Sequence, residues 1–340
     1  MKYIHYIIFS SLIFCQTIDI NENLYPNDVL ETEHFEVTEK SEVVAYLNMS
    51  ANTNWSQSGS ESATLTIYIN LLDSTGYSQD IILYNGSQIF EYPILLGELE
   101  EGNHNLFLEF NFTKSTIGAE IIYIDSINLE LYDENNPMYN IIKYSPMMYG
   151  RNIFAWNEST YTDIPLVLFY DTDITNNSSG LITQDITYSV IFSNEDSRIG
   201  LGLSDMMLSW GRTTDIEWMY TVSLTLNNST GDTLDEPQIN SEYFQGASHI
   251  TTIFDGNKFQ ETHPILINAT ANCNFSDNGT SNYRFFLPPL LTPDANHTRE
   301  YIMDQNPWTY KIMGQELENE DKYELNTNPD TYDMSDVRNY

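Results

Sequence analysis

From Thr214 to Thr225 the chain reads TDIEWMYTVSLT, with polar and apolar residues changing places at almost every step. A period of two marks a strand with one face in a core and the other turned away. Ile216, Trp218, Tyr220, Val222, Leu224 and Leu226 fall on one face. Asp215, Glu217, Met219, Thr221, Ser223 and Thr225 fall on the other. Shorter runs repeat the period. Leu65, Ile67, Ile69 and Leu71 alternate with Thr64, Thr66, Tyr68 and Asn70, and Leu106, Leu108 and Phe110 and then Ile127, Leu129 and Leu131 follow the same rule. Apolar residues at helical spacing stand out in one place only, after Asn306, so the chain is expected to be all-β.

Turn residues separate the runs. Asn85-Gly86 and Asp255-Gly256 each stand between apolar segments and predict two hairpins, and Gly102 predicts a further turn. The strands group into an antiparallel sandwich over residues 42–134 and a larger antiparallel β domain over 141–313. The segment YDENNPMYN (132–140), rich in acids and Asn and containing Pro137, breaks the pattern between them. Residues 16–41 read as a polar lead-in or linker that can hold one edge strand. A short helix is predicted from Asn306 as cap and Pro307 as first residue, with Trp308, Ile312 and Met313 on one face. Residues 320–340 form an acidic tail.

The N-terminus carries Lys2 and then an apolar run from Tyr6 to Cys15. About ten apolar residues cannot span a bilayer, and they match the core of a signal peptide over 1–15, with cleavage near Cys15–Thr17. No later run reaches the length of a transmembrane helix, so a secreted or cell-surface protein without a membrane span is expected. Two cysteines are too few for a Cys-ligated zinc site, and Cys15 would leave with the signal or end the mature chain.

Acidic residues outnumber basic ones 49 to 13, for a net charge of −36. That excess argues against nucleic acid and anionic membrane surfaces as partners, because both need Lys and Arg. It permits cations, Ca²⁺ or another divalent metal.

Three sets of residues are candidates for a site. Asp215 and Glu217, two apart on one strand face, would stand about 6.6 Å apart. They are either the wet face of a strand, or ligands for a hard cation, or an acid–base pair. The Asp255-Gly256 hairpin would bring His263 opposite Ile250 and close to His249, with Glu261 on the face of His263. His249, Glu261 and His263 are therefore a candidate metal group. Tyr68 on its strand, and Trp55 and Tyr77 in loop-like stretches, are candidates for stacking on sugar rings. No G-x-S-x-G elbow, P-loop or dinucleotide fingerprint occurs.

The segments YSPMMYGRN, TDIPLVLFYD, ITYSVIFSNED and WGRTTDIEWMY, continued by ETHPILINATANCNFSDNGT and DQNPWTYKIM, resemble a group of secreted bacterial β proteins of uncharacterised function over about residues 141–313. Ser197 and Arg198 stand where that pattern has glycines. More distantly, an acid-x-Glu strand with a downstream His resembles the signature of the necrosis-inducing β proteins, in which such residues surround a metal. That resemblance implies a role for Asp215, Glu217 and His263, with Ile216 in place of the usual Trp. The leading expectation is a secreted, non-catalytic binding protein for glycan or polysaccharide, aided by Ca²⁺. The alternatives are a metal-dependent hydrolase or lytic β protein using Asp215, Glu217 and His263, and a structural envelope protein.

Overall fold

The computed structural model describes residues 14–54, 59–70, 78–150, 164–176, 181–193, 214–227, 237–270, 273–291 and 299–309. The fold is all-β and mostly antiparallel. Ten strands come first: β1 Phe14–Leu24, β2 Val29–Glu31, β3 Phe35–Val37, β4 Ser41–Ala51, β5 Ala63–Ile69, β6 Gln79–Leu83, β7 Phe90–Leu99, β8 Gly102–His104, β9 Leu106–Phe110 and β10 Ile122–Tyr132. A short helix, α1 (Tyr139–Lys143), leads to β11 Met147–Tyr149, β12 Pro165–Asn176, β13 Leu181–Phe192, β14 Ile216–Asn227, β15 Gln238–Gly246 and β16 Ile250–Ile253. Then come β17 Lys258–Phe259, β18 His263–Asn268, β19 Phe275–Ser276, β20 Arg284–Phe285, β21 Pro289–Leu291 and the helix α2, Arg299–Gln305.

Two four-stranded sheets, ordered β1-β10-β4-β7 and β2-β9-β5-β6, share a core. Val43, Ala45, Leu47 and Met49 of β4 are fully buried in it with Leu65 of β5 and Leu106, Leu108 and Phe110 of β9. The alternate residues of β4 are covered as well. Val44 packs with Leu95, Tyr132, Ile142, Met147, Phe259 and Phe286 in a second apolar cluster. The β4 sheet is thus a middle layer, with α1 and the β11 and β17 region on its far side. Full burial of such aliphatic and aromatic side chains stabilises by about 2 kcal/mol each.

The remaining strands form a six-stranded sheet, β16-β15-β14-β13-β12-β21, and a smaller one built on β17-β18-β11-β20 with β19 beside β18. Pairing is parallel between β11 and β18 and between β12 and β21. One continuous set of buried apolar side chains runs from Ile18 in β1 to Met303 in α2.

Four local expectations are corrected. The polar lead-in contributes a long strand: β1 pairs with β10 from Phe14↔Leu131 to Leu24↔Ile122, and β2 and β3 pair with β9 and β8. A bulge between Asp19 and Glu22, with Asn21 at positive φ, interrupts the strand, and among its described side chains only Ile18 and Leu24 are buried, too few to mark it in the sequence. Asn85-Gly86 does not close a hairpin. β6 pairs with β5 and β7 with β4, so the turn carries the chain from one sheet to the other. Gly86 has a φ of +70°, and a Cβ there would meet the Thr53 carbonyl at 3.0 Å.

Asp255-Gly256 does not close one either. β16 pairs back on β15, and the real hairpin is β17–β18, with Phe259 opposite His263. Its turn holds Gln260 and Glu261, both at positive φ, as a primed hairpin turn demands. At the C-terminal end α2 precedes the predicted helix, and Asn306 donates its backbone N–H to Ile302 and Met303, closing α2. Trp308 and Thr309 are helical again, and the chain beyond 309 lies outside the described residues. Trp308 stacks on Tyr84 at 5.8 Å.

Candidate functional site

The strand that carries Asp215 and Glu217 is interrupted. Tyr220 of β14 lies opposite Tyr188, but Trp218 lies opposite Ser189, leaving Met219 as an extra, bulged residue. Neighbouring residues of β13 face opposite ways, so Trp218 and Tyr220 do not share a face as the alternation predicts. Upstream of the bulge Glu217 lies opposite Val190, on the core side of β13 with Tyr188. Asp215 and Glu217 are consequently buried, each with 7% exposure, instead of forming a wet outer row. The Asp215 carboxylate accepts the Ile216 N–H at 2.9 Å, and its backbone carbonyl accepts that of Phe192 at 2.8 Å.

His263 goes elsewhere. It is fully buried in β18, where its Nδ1 donates to the Ser145 carbonyl at 3.0 Å and its Nε2 lies 3.4 Å from Oε1 of Glu42, equally buried. Phe286 meets the ring edge-on at 4.7 Å, and Phe259 stacks on it at 6.0 Å. Glu261 is exposed at the tip of the β17–β18 turn. Asp215, Glu217 and His263 therefore have separate neighbours. Among the described residues no group of three or more His, Cys, Asp and Glu side chains converges to hold a metal.

Two of the candidates do meet. β15 ends at Gly246, and the chain passes through Ser248 and His249, both with a φ of 60°. That left-handed pair turns the His249 imidazole, half exposed, towards Glu217. Gln245 donates its amide to Glu217 Oε2 at 2.7 Å and to His249 Nδ1 at 3.1 Å. Asn274 donates to the same Nδ1 at 3.3 Å while its Oδ1 accepts the Ser248 N–H at 3.1 Å. Glu217 Oε2 and His249 Nδ1 are 3.5 Å apart. Gln245 and Asn274 are 3% and 2% exposed, so three nearly buried polar side chains surround one accessible imidazole. Non-Gly residues at positive φ are uncommon and costly, and facing this pair Cys273, before Asn274, is a third at 47°. Neither Gln245 nor Asn274 carries a signal in the sequence, because the contacts join β14, the end of β15 and the approach to β19.

The second feature is the outer face of the six-stranded sheet. Tyr170, Ile186, Tyr188, Tyr220, Val222 and Phe244 fill its inner face. The register sets three rows across the other. Asp171, Thr187, Thr221, Tyr243 and Ile253 form the first; Asp173, Asp185, Ser223 and Ser241 the second; Thr175, Thr183, Thr225 and Gln238 the third. Asp171, Asp173, Thr175, Gln238, Tyr243 and Ile253 are exposed and the rest half-buried. The Thr187 and Thr221 hydroxyls bond to each other at 3.1 Å, and Asn240, bulged out of β15, bonds Thr225 at 2.9 Å. No Lys or Arg stands in these rows.

Of the aromatic candidates, Trp55 and Tyr77 lie outside the described residues. Tyr68 is partly buried and donates its hydroxyl to Glu109 at 2.7 Å, and burial followed by that carboxylate raises its pKa. Its polar end is committed to the protein.

No protein family and no curated protein matches the sequence. Among solved structures the chain is similar to the GH26-CBM35 β-(1,4)-mannanase of Podospora anserina, at 10% identity over 36% of this chain and 29% of that one, with a TM-score of 0.25. It is similar to a ruminal GH26 endo-β-1,4-mannanase at 11% identity over 40% and 23%, with a TM-score of 0.23. It is also similar to the infectious bursal disease virus Gx strain, at 10% identity over 36% and 33%, with a TM-score of 0.24. The chain spans a third or less of the length of each. Among the described residues no helix is long and apolar enough to cross a membrane.

Proposed function

We propose that the protein is an extracellular, non-catalytic binding protein for a neutral polysaccharide, which lies along the outer face of the six-stranded sheet. The observation that carries this reading is the set of three polar rows, the first of which ends at Tyr243 and Ile253. Sugar hydroxyls both donate and accept, and carboxylates, hydroxyls and amides answer both needs. The C–H face of a sugar ring packs on an aromatic or apolar side chain, which Tyr243 and Ile253 supply at one end of the first row. From β12 to β16 that row runs about 19 Å at the spacing of adjacent strands, enough for an oligosaccharide stretch.

The net charge of −36 and the Asp171, Asp173 and Asp185 carboxylates repel polyanions, which selects for neutral chains. Asp173 and Asp185 stand directly opposite each other, and Ca²⁺ shared between them and sugar hydroxyls is the assisted form of the same binding. An extracellular setting rests on the apolar run Tyr6–Cys15. Cleavage near Cys15–Thr17 would leave most of β1 in place, including Ile18 opposite Ile127.

The test is affinity electrophoresis of the full chain in gels cast with neutral and with anionic polysaccharides, each run with Ca²⁺ and with a chelator. Retardation by at least one neutral polysaccharide and by no anionic one is expected. Free migration in every gel would overturn the reading.

A further inference from the structure

The corner around His249 has no part in that binding face, and it is built like a ligand site. We propose that Glu217 and His249, with the amide of Gln245 as third donor, bind one divalent transition-metal ion. Three observations lead there. The first is distance. Glu217 Oε2 and His249 Nδ1 face each other at 3.5 Å, longer than an ordinary hydrogen bond. Two ligands about 2.1 Å from one ion at a tetrahedral angle stand about 3.4 Å apart.

The second is what lies between them. The Gln245 NH₂ group donates to both atoms, at 2.7 and 3.1 Å, so two N–H bonds of a neutral amide bridge the carboxylate oxygen and the imidazole lone pair. The other end of that amide, Oε1, is buried without a hydrogen-bond partner. A half-turn of the amide plane would exchange donor for acceptor and give a cation a third ligand.

The third is the frame. Asn274 accepts the Ser248 N–H, fixing the left-handed backbone that brings His249 to Glu217, while its own NH₂ donates to Nδ1 in a bond that an ion there would displace. One imidazole nitrogen with carboxylate and amide oxygens suits zinc or manganese better than calcium, and the half-exposed ring leaves an open side for water and for entry.

The experiment is isothermal titration of the full chain with Zn²⁺ at physiological salt and excess Ca²⁺, which occupies the diffuse acidic surface. One Zn²⁺ per chain is expected, weakened at least tenfold in His249→Ala and in Glu217→Gln. His34→Ala, which removes another exposed imidazole, should bind as the unaltered protein does. A matched melting curve in the absence of metal shows that each variant is folded, and Zn²⁺ should raise the melting temperature of the parent but not of His249→Ala. Absence of a one-to-one isotherm, or equal binding by His249→Ala and the parent, would overturn the proposal.

Discussion

Removing either half of the Glu42–His263 pair should cost more than any surface change in this chain. Both residues are fully buried, Nδ1–H of His263 is already committed to the Ser145 carbonyl, and Nε2 stands 3.4 Å from the Glu42 carboxylate. A proton between Nε2 and Oε1 makes that contact attractive, since without it two lone pairs would face each other. Desolvation offsets most of that attraction, so the pair adds little net stability, while either partner alone leaves a buried polar atom, Nε2 of His263 or the Glu42 carboxylate, without its counterpart. Glu42→Ala or His263→Ala should therefore each destabilise by about 3–5 kcal/mol. The double replacement Glu42→Leu with His263→Phe adds apolar bulk to the cluster of Val44, Phe259 and Phe286 and should recover most of the loss. Equilibrium urea denaturation of the parent, both single variants and the double variant gives the full cycle. Single variants within about 1 kcal/mol of the parent would mean that water reaches the pair and that the burial argument is wrong.

Two further predictions concern the seam between β7 and the β17–β18 hairpin. Gly97 has a φ of +85°, and a Cβ there would collide with Gln260 Oε1 and come within 2.9 Å of Phe259. Gly97→Ala should therefore destabilise by about 3 kcal/mol, the sum of a left-handed backbone cost and overpacking, measured by urea denaturation. In the same seam burial raises the pKa of Glu98, but hydrogen bonds from Lys40 at 2.7 Å and Tyr139 at 2.9 Å outweigh it, and the net pKa is lowered. A depressed carboxyl contributes stability that is present above its unfolded pKa and lost as pH falls through the folded one. Glu98→Gln should accordingly lose stability at pH 7 and show a flatter decline than the parent below about pH 4.5, read as melting temperature against pH.

Strand content was legible because period-two runs such as Leu106–Phe110 and Ile127–Leu131 keep their buried positions in the folded chain. What alternation could not reveal is coverage from both sides. Thr64 and Thr66 of β5 look like a wet face, yet they are buried beside Asp80 and the Asn111–Ser115 segment, where Thr66 donates to Asp80 at 2.7 Å and Lys114 pairs with the same carboxylate at 2.8 Å. Bulges were equally invisible. One unpaired residue, Met219, exchanges the faces of Trp218 and Glu217 without leaving a mark in composition. At the site, Glu217 and His249 were legible as metal-binding types. Their partners Gln245 and Asn274 were not, because long-range pairing brings them together. His263 was misplaced for a related reason: Asp255-Gly256 looks like a hairpin turn, whereas Gln260-Glu261, with no glycine, makes the turn that fixes its register.

On the proposed reading, the outer face of the six-stranded sheet holds a neutral polysaccharide through its polar rows and Tyr243. The most direct test is Tyr243→Ala, in which an exposed ring is lost and the inner face is untouched. Measured against the neutral polysaccharide that retards the parent most, affinity should fall up to about tenfold while the melting temperature stays within a degree or two, since stacking on an aromatic ring is worth about 0.5–1.5 kcal/mol. Equal affinity in Tyr243→Ala and in a companion Asp173→Ala/Ser223→Ala variant would place binding elsewhere on the molecule and contradict the claim.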